Sequence, residues 1–333
     1  MKYSLLSQFK GALLGAVVGG FIGQELSIAA GSFTESLSNS NSARNSFQDL
    51  EKNPSRIGEI ALISARSLIK CEGLELEDWQ ESLKQWQNTQ LVQYLNWETG
   101  IASIPVAMLY HEDEVKLREK FNQIAEVWQG NLDVKLNNLA IGYTIALGLQ
   151  EKLDPGIAIP KTIFYLKEES PLVELLTEVQ SLLEKQVDLK TAIVRLSKKA
   201  NEMKELSKEA STTAWLISLP LAFYCFLSTP ENWQLAVLRA ARIRQGPQIC
   251  AIVGAISGAY NSMVGIPVEW RRIVDARIEK TSTMAKVAAR EAEIIELAKS
   301  LWALWCGVYN PETMENQLNL VPAVAASNVI RPR

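Results

Sequence analysis

Residues 11–23 read GALLGAVVGGFIG, and glycine recurs at 11, 15, 19 and 23. On a helix a four-residue repeat puts all four glycines on one face, about one turn apart. That face carries no side chains, so a second backbone can approach it closely. The stretch AIVGAISGA at 251–259 repeats the device with Gly254 and Gly258, and with Ala255 and Ala259. In a membrane this spacing reads as a helix-pairing face. In a soluble helical protein it reads as the tight crossing of two central helices, which is the expectation here.

The rhythm outside these stretches is also helical. Ile57, Ile60, Ala61, Ser64, Ala65, Leu68 and Ile69 fall on one face at three- and four-residue steps. Phe121, Ile124, Ala125 and Trp128 form another stripe, and Leu172, Leu175, Leu176, Val179 and Leu182 a third. Ile193, Leu196, Ala200 and Met203 follow, with Asp188 a suitable N-cap. Ile294, Ala298, Leu301 and Trp305 form the last. Strictly alternating apolar–polar runs are nearly absent, so the fold class is all-α. The chain is 333 residues long and 47% hydrophobic, ordinary for a globular protein.

Charge and composition remove several functions. The 34 basic and 37 acidic side chains leave a net charge of −3, so a broadly basic nucleic-acid binder is not expected. The single histidine, His111, nearly removes His-based triads and all multi-histidine metal sites. Cys71, Cys225, Cys250 and Cys306 include no C-x-x-C pair, and the expected setting is the reducing cytoplasm.

Three apolar segments raise the membrane question. Residues 210–230 and 245–268 are uncharged and long enough to span a bilayer at ~20 residues per helix. Pro220, Gln245, Gln248 and several hydroxyl residues interrupt them, and a buried central helix is equally apolar all round. The segment at 11–23 has the length of a secretory h-region, but five glycines dilute it and no A-x-A site follows. Buried helices are expected in all three places. The Ser/Asn-rich stretch at 32–46 reads as a loop, and 321–333 as a C-terminal tail that frays or docks.

The search for chemistry finds little. Glu112, Asp113 and Glu114 beside His111 read as a solvated helix start, where acidic groups match the helix dipole. Glu72, Glu75, Glu77 and Asp78 read the same way. There is no P-loop, no G-x-G-x-x-G after a strand, and no G-x-S-x-G. Arg239, Arg242, Arg244, Arg271, Arg272 and Arg277 flank the second glycine motif, either as solvated helix ends or as a surface for an acidic partner. Trp233 and Trp270 fall near loops and are candidates for exposure.

Three patterns taken in order carry a resemblance. They are Phe9-Lys10-Gly11-Ala12-Leu13-Leu14-Gly15 continued by Val18 to Gly23; Gly100-Ile101-Ala102-Ser103-Ile104-Pro105 followed by Met108-Leu109-Tyr110; and Ala251 to Ala259 ending in Gly265-Ile266-Pro267 and Trp270. Ser228 to Trp233, then Ala236 and Ala240, add a lead-in to the third. Over about residues 8–275 the chain resembles the ADP-ribosylglycohydrolase family. The resemblance implies a single large orthogonal helical domain over residues 1–320. It also implies a central cleft with two Mg²⁺ ions, held by Thr-Asp-Asp at an early helix start and by Asp-x-Asp-Thr before the Gly-Ala run. Such ions would orient ribose and water at the anomeric carbon.

The chain departs from the family at those positions. The first segment falls on Ser55-Arg56-Ile57-Gly58 and the second on Gln245-Gly246-Pro247-Gln248. The family's aspartate in the first glycine motif is replaced by Gly20. Arg56 stays charged at any working pH and repels a cation. No metal ligand and no Mg²⁺ cofactor are therefore expected. Ser55, Arg56, Gln245 and Gln248 become candidate ligand-binding positions, with Arg244 nearby, in a cleft suited to an anion such as a nucleotide phosphate. Glu59 and Glu25 are the remaining weak catalytic candidates, with Gln245 a third possible actor. The leading expectation is a catalytically silent binding, regulatory or scaffold protein, whose partner is a protein or an anionic small molecule. The alternatives are a metal-independent hydrolase of ADP-ribosyl or related glycosidic bonds, and a membrane-associated partner protein.

Overall fold

The computed structural model describes residues 2–35, 57–89, 97–127, 132–207, 213–243, 246–272 and 291–307. Among the described residues there are 14 α-helices and no strand. They are α1 (Leu5–Glu35), α2 (Glu59–Lys70), α3 (Leu76–Thr89), α4 (Trp97–Ala102), α5 (Ile104–Tyr110), α6 (Glu114–Val127) and α7 (Leu132–Leu149). The second half holds α8 (Ala158–Leu166), α9 (Pro171–Glu184), α10 (Leu189–Ser207), α11 (Thr213–Leu227), α12 (Trp233–Ala240), α13 (Gly246–Asn261) and α14 (Glu291–Trp305).

The centre is a pair, α1 against α13. A methyl group added at Gly11 would lie 2.3 Å from the Gly258 carbonyl oxygen; at Gly15, 2.1 Å from that of Gly254. At Gly19 it would lie 2.2 Å from the Cys250 oxygen, and at Gly23, 2.7 Å from that of Gly246. Partner numbers fall as the glycine numbers rise, so the helices run antiparallel. Both step by four, so the bare stripes stay in phase along the seam. No residue larger than glycine fits these positions without separating the backbones. The expected crossing of central helices is thus found, and it follows from the spacing alone.

Burial explains why the apolar runs lack a polar face. Gly11 to Gln24 in α1, Leu136 to Leu149 in α7, and Ile249 to Ala259 in α13 are buried all round. Of the described helices, one is long and apolar enough to cross a membrane, Leu5–Leu26 within α1, and 78% of its most apolar window is buried. The uncharged run at 245–268 does not form one long helix. It splits after Asn261, whose amide donates to the Pro230 carbonyl at 2.7 Å and to Ser257 Oγ at 3.1 Å. Ser262 then takes a left-handed φ of 58° and opens a short 3₁₀ turn at Met263–Gly265. At ~1.5 Å per residue the remaining 16-residue α13 is shorter than a ~30 Å hydrocarbon core.

The outer helices follow their local signals. Ser170 caps α9 through Val173 N–H, with Pro171 in the first turn. Asp188 caps α10 through Thr191 N–H at 2.7 Å, as its position predicts. Asp113 does the same for α6, accepting from Val115 and Lys116, which agrees with reading Glu112–Glu114 as a helix start. Trp79 is fully buried and bonds Ser64 Oγ at 2.8 Å, joining α3 to α2.

Two expectations are corrected. Trp233 is not exposed: it is 1% accessible, and its indole N–H donates to the Gly254 carbonyl at 2.9 Å. Trp270, half-buried, packs edge-on against it at 5.8 Å. The stretch at 32–46 does not begin as a loop, because α1 continues through Glu35. Extending an existing helix costs far less than nucleating one, so Ser32, Phe33 and Thr34, weak helix formers, are carried along with Glu35. Residues 36–46 and the tail at 321–333 lie outside the described residues.

Candidate functional site

Three elements meet at the C-terminal half of α1. Gly19 and Gly23 face the start of α13, while Gly20, on the neighbouring stripe, faces the start of α2. A methyl at Gly20 would stand 3.2 Å from Gly58 N and 3.2 Å from Ile57 Cγ2. Gly58 is itself pressed onto α1, where a methyl would lie 2.6 Å from the Ala16 oxygen and from Val17 Cα. At the other side, a methyl at Gly23 would lie 2.8 Å from Pro247 Cα. This corner is where the sequence resemblance puts the cleft.

Its polar groups are few. Glu59, the first residue of α2, is 3% exposed. Gln24 lies four residues beyond Gly20 and so on the same stripe; it is 1% exposed. Glu25 and Gln248 are half-buried. Glu59 follows Gly58 in the chain, Glu25 lies two residues beyond Gly23, and Gln248 follows Pro247, so the backbone of each starts near this corner. Ser55, Arg56, Arg244 and Gln245 lie outside the described residues. Gln24 was missed, and its signal was a lone amide directly after the 13-residue apolar run Gly11–Gly23.

Two helix N-termini add electrostatics. Neither α2, whose N-cap Gly58 makes no side-chain bond, nor α13 carries a capping carboxylate, apart from Glu59 in the first turn of α2. Free N–H groups and the helix dipole make such ends electropositive. Glu59 offsets this at α2, and α13 has no acidic residue in its first turn.

A hard divalent cation needs several oxygen ligands around one point. Of the positions that the resemblance sets against the family's ligands, Ile57, Pro247 and Gln248 are described; Ile57 and Pro247 offer no side-chain oxygen, and Ile57 is 3% exposed within the apolar core. Among the described residues no group of three or more His, Cys, Asp and Glu side chains is placed to hold an ion.

The flanking arginines do not form one surface. Arg271 pairs with Glu291 at 2.7 Å, with both side chains largely buried. Arg239 lies over the Tyr224 ring at 5.7 Å. Arg242 and Arg272 are exposed, and Arg244 and Arg277 lie outside the described residues.

A profile of the ADP-ribosylglycohydrolase family matches residues 1–310. The chain belongs to that family, and its all-α architecture agrees with the family's fold. No curated protein matches the chain.

Proposed function

We propose that this chain is a catalytically silent ADP-ribosylglycohydrolase-like protein, acting as a binding, regulatory or scaffold element. The observation that carries the reading is the packing of Ile57 and Gly58 directly on Gly20. Ile57 stands at a position that supplies a metal ligand in the resembled family, and with Gly58 it sets an apolar side chain and bare backbone against Gly20, where the family's motif has an aspartate. An ion placed there would lose its hydration shell and gain no carboxylate in return. The place where the ions would sit is the proposed anion or nucleotide pocket. Ser55, Arg56, Gln245 and Gln248 are its proposed contacts, supported by the electropositive start of α13, which has no acidic residue in its first turn. The proposed setting is the cytoplasm, where the four cysteines, unbonded in the fold, remain thiols.

Two measurements test the reading. Calorimetry with ADP-ribose is expected to give saturable binding below millimolar concentration; no heat at millimolar ligand removes the anion pocket. Incubation with ADP-ribosylated protein, with and without Mg²⁺, is expected to give no turnover above background. Release that Mg²⁺ promotes overturns the silent reading. The buried carboxyl of Glu59 supports a second reading, a metal-independent hydrolase with Glu59 and Glu25 as its acid–base pair. Metal-independent release abolished by Glu59→Gln would favour it.

A further inference from the structure

One outer helix, α8, turns an apolar stripe to solvent. Ile157 at its N-cap, then Pro160 and Phe164, stand three and four residues apart and so share a face. All three are exposed, Ile157 by 45% and Phe164 by 80%. Ala158, Ile159, Thr162, Tyr165 and Leu166 hold the helix to the body from its buried side. An ordinary surface helix gives its outer face to polar groups, and apolar side chains gathered there mark an interaction site. We propose that this face pairs with the same face of a second copy of the chain, antiparallel about a two-fold axis near Pro160 and Lys161. The proposal goes beyond the function proposed above and uses none of the residues of the glycine-lined corner.

Charge selects the partner and the direction. Asp154 stands three residues before Ile157 and Lys167 three residues after Phe164, so the stripe ends in opposite charges. Both side chains are exposed, and both backbones are fixed. Asp154 Oδ1 accepts from Gly156 N–H at 2.9 Å, and Lys167 is the left-handed C-cap of α8, with a φ of 60°. Farther out stand Lys152 and Glu169, again exposed and opposite in sign. None of these four makes an ion pair among the described residues, whereas Glu168 is already paired with Lys135 at 3.3 Å.

In an antiparallel pair each end of the stripe meets the other end of its copy. Ile157 then faces Phe164 of the second copy, and Asp154 faces its Lys167, with Lys152 and Glu169 toward each other at the rim. The two-fold axis makes every such contact twice. A parallel pair would set each charge against its own copy, which is repulsive. Lys161 is the charge nearest the axis, and its Nζ is drawn back to the Lys152 carbonyl at 3.4 Å. A bilayer fits less well, because anionic headgroups would meet Asp154 and Glu169 together with the lysines. The helix has nine residues, ~14 Å at ~1.5 Å per residue, so the interface is small and the dimer weak and reversible.

The test is sedimentation velocity on the full chain from about 1 μM to about 1 mM, the range in which small interfaces associate. The sedimentation coefficient is expected to rise with concentration from monomer to dimer. Phe164→Ser should weaken association by more than about tenfold, since each dimer loses two rings, and the exposed position leaves the fold intact. Asp154→Lys alone and Lys167→Glu alone each create two like-charge contacts and should weaken it by about tenfold. Mixed in equal amounts, these two variants should recover the parent's association, because a mixed pair sets opposite charges together at both ends. Asp154→Asn keeps an acceptor for Gly156 N–H and should weaken pairing about threefold, which tests the charge even where Asp154→Lys does not fold. A chain that stays monomeric throughout, with or without binding to anionic vesicles, overturns the proposal. So does undiminished pairing of Phe164→Ser, or a mixture of the two folded charge variants that associates no better than either alone.

Discussion

The two ends of α1 are built on opposite plans. Along its middle, from Gly11 to Gly23, the helix is stripped to glycine on one face and pressed against α13, with α2 crossing at Gly20. No side-chain oxygen remains at Gly20, Ile57 or Gly58, and Glu59 and Gln24 stand buried beside the seam. At its N-terminal end the helices diverge, leaving a cavity rimmed by carboxylates. Bare and apolar positions meet along the described seam, while acidic groups gather at the far end of the same helix. The difference teaches that close backbone packing and a charged, hydrated site exclude one another locally. A stripe that lets two backbones touch leaves no volume for ligands along the seam itself, so the proposed anion pocket has to lie beyond it, at the starts of α2 and α13.

Breaking the seam should have the largest effect. Gly254→Val places a branched side chain where a single methyl would already lie 2.1 Å from the Gly15 oxygen. We expect a loss of about 4 kcal/mol or more, read as a collapsed thermal melt. A variant melting close to the parent chain would break the comparison at its root. Next comes restoration of the family's acid. Gly20→Asp puts a carboxylate against Ile57 Cγ2 and should destabilise by about 2–4 kcal/mol without creating Mg²⁺-dependent release of ADP-ribose. Stabilisation of this variant by Mg²⁺ in a melt would show that the corner still accepts an ion.

A smaller loss tests the seam from outside. Trp233→Phe removes the indole bond to the Gly254 carbonyl and should cost about 1–2 kcal/mol in denaturant unfolding. The smallest effect belongs to the open end. Glu231 accepts from Lys2 Nζ at 2.9 Å and Tyr260 Oη–H at 3.0 Å, and these bonds hold its carboxyl below its ordinary value of 4.5. A depressed folded pKa contributes stability above the unfolded value, which is lost as pH falls through the folded one. The side chain is 65% exposed, so after solvent screening only tenths of a kcal/mol are expected. Comparing Glu231→Gln with the parent chain between pH 7 and pH 3 should show a difference that vanishes at acid pH. A difference that grows on acidification would reverse the assignment.

Much of the fold was legible in the chain. The four-residue glycine steps predicted a close helix pair, and the stripes at 172–182 and 294–305 predicted amphipathic outer helices that the structure contains. Asp188 was read as an N-cap because capping is local, decided by an oxygen three residues from the N–H it accepts. Trp233 was misread for the opposite reason. Its neighbours in sequence are loop-like, and its partner Gly254 lies 21 residues away. At the corner, Glu25, Glu59 and Gln248 were named from the chain. Gln24 was not, because its burial, at 1% exposed, is set by the packing of helices and not by its place in the chain.

The sequence by itself determined the helical class, the bare stripes and the absence of aspartate from the resembled family's ligand positions. These follow from residue identity at fixed short spacing, which the 3.6-residue turn converts directly into geometry. Only the tertiary structure decided that Ile57 and Gly58 fill the space above Gly20, and that the acidic turn after α5 lines a cavity. Both depend on where helices distant in the chain come to rest. That is set by side-chain volume summed over many contacts rather than by any one interval in the sequence.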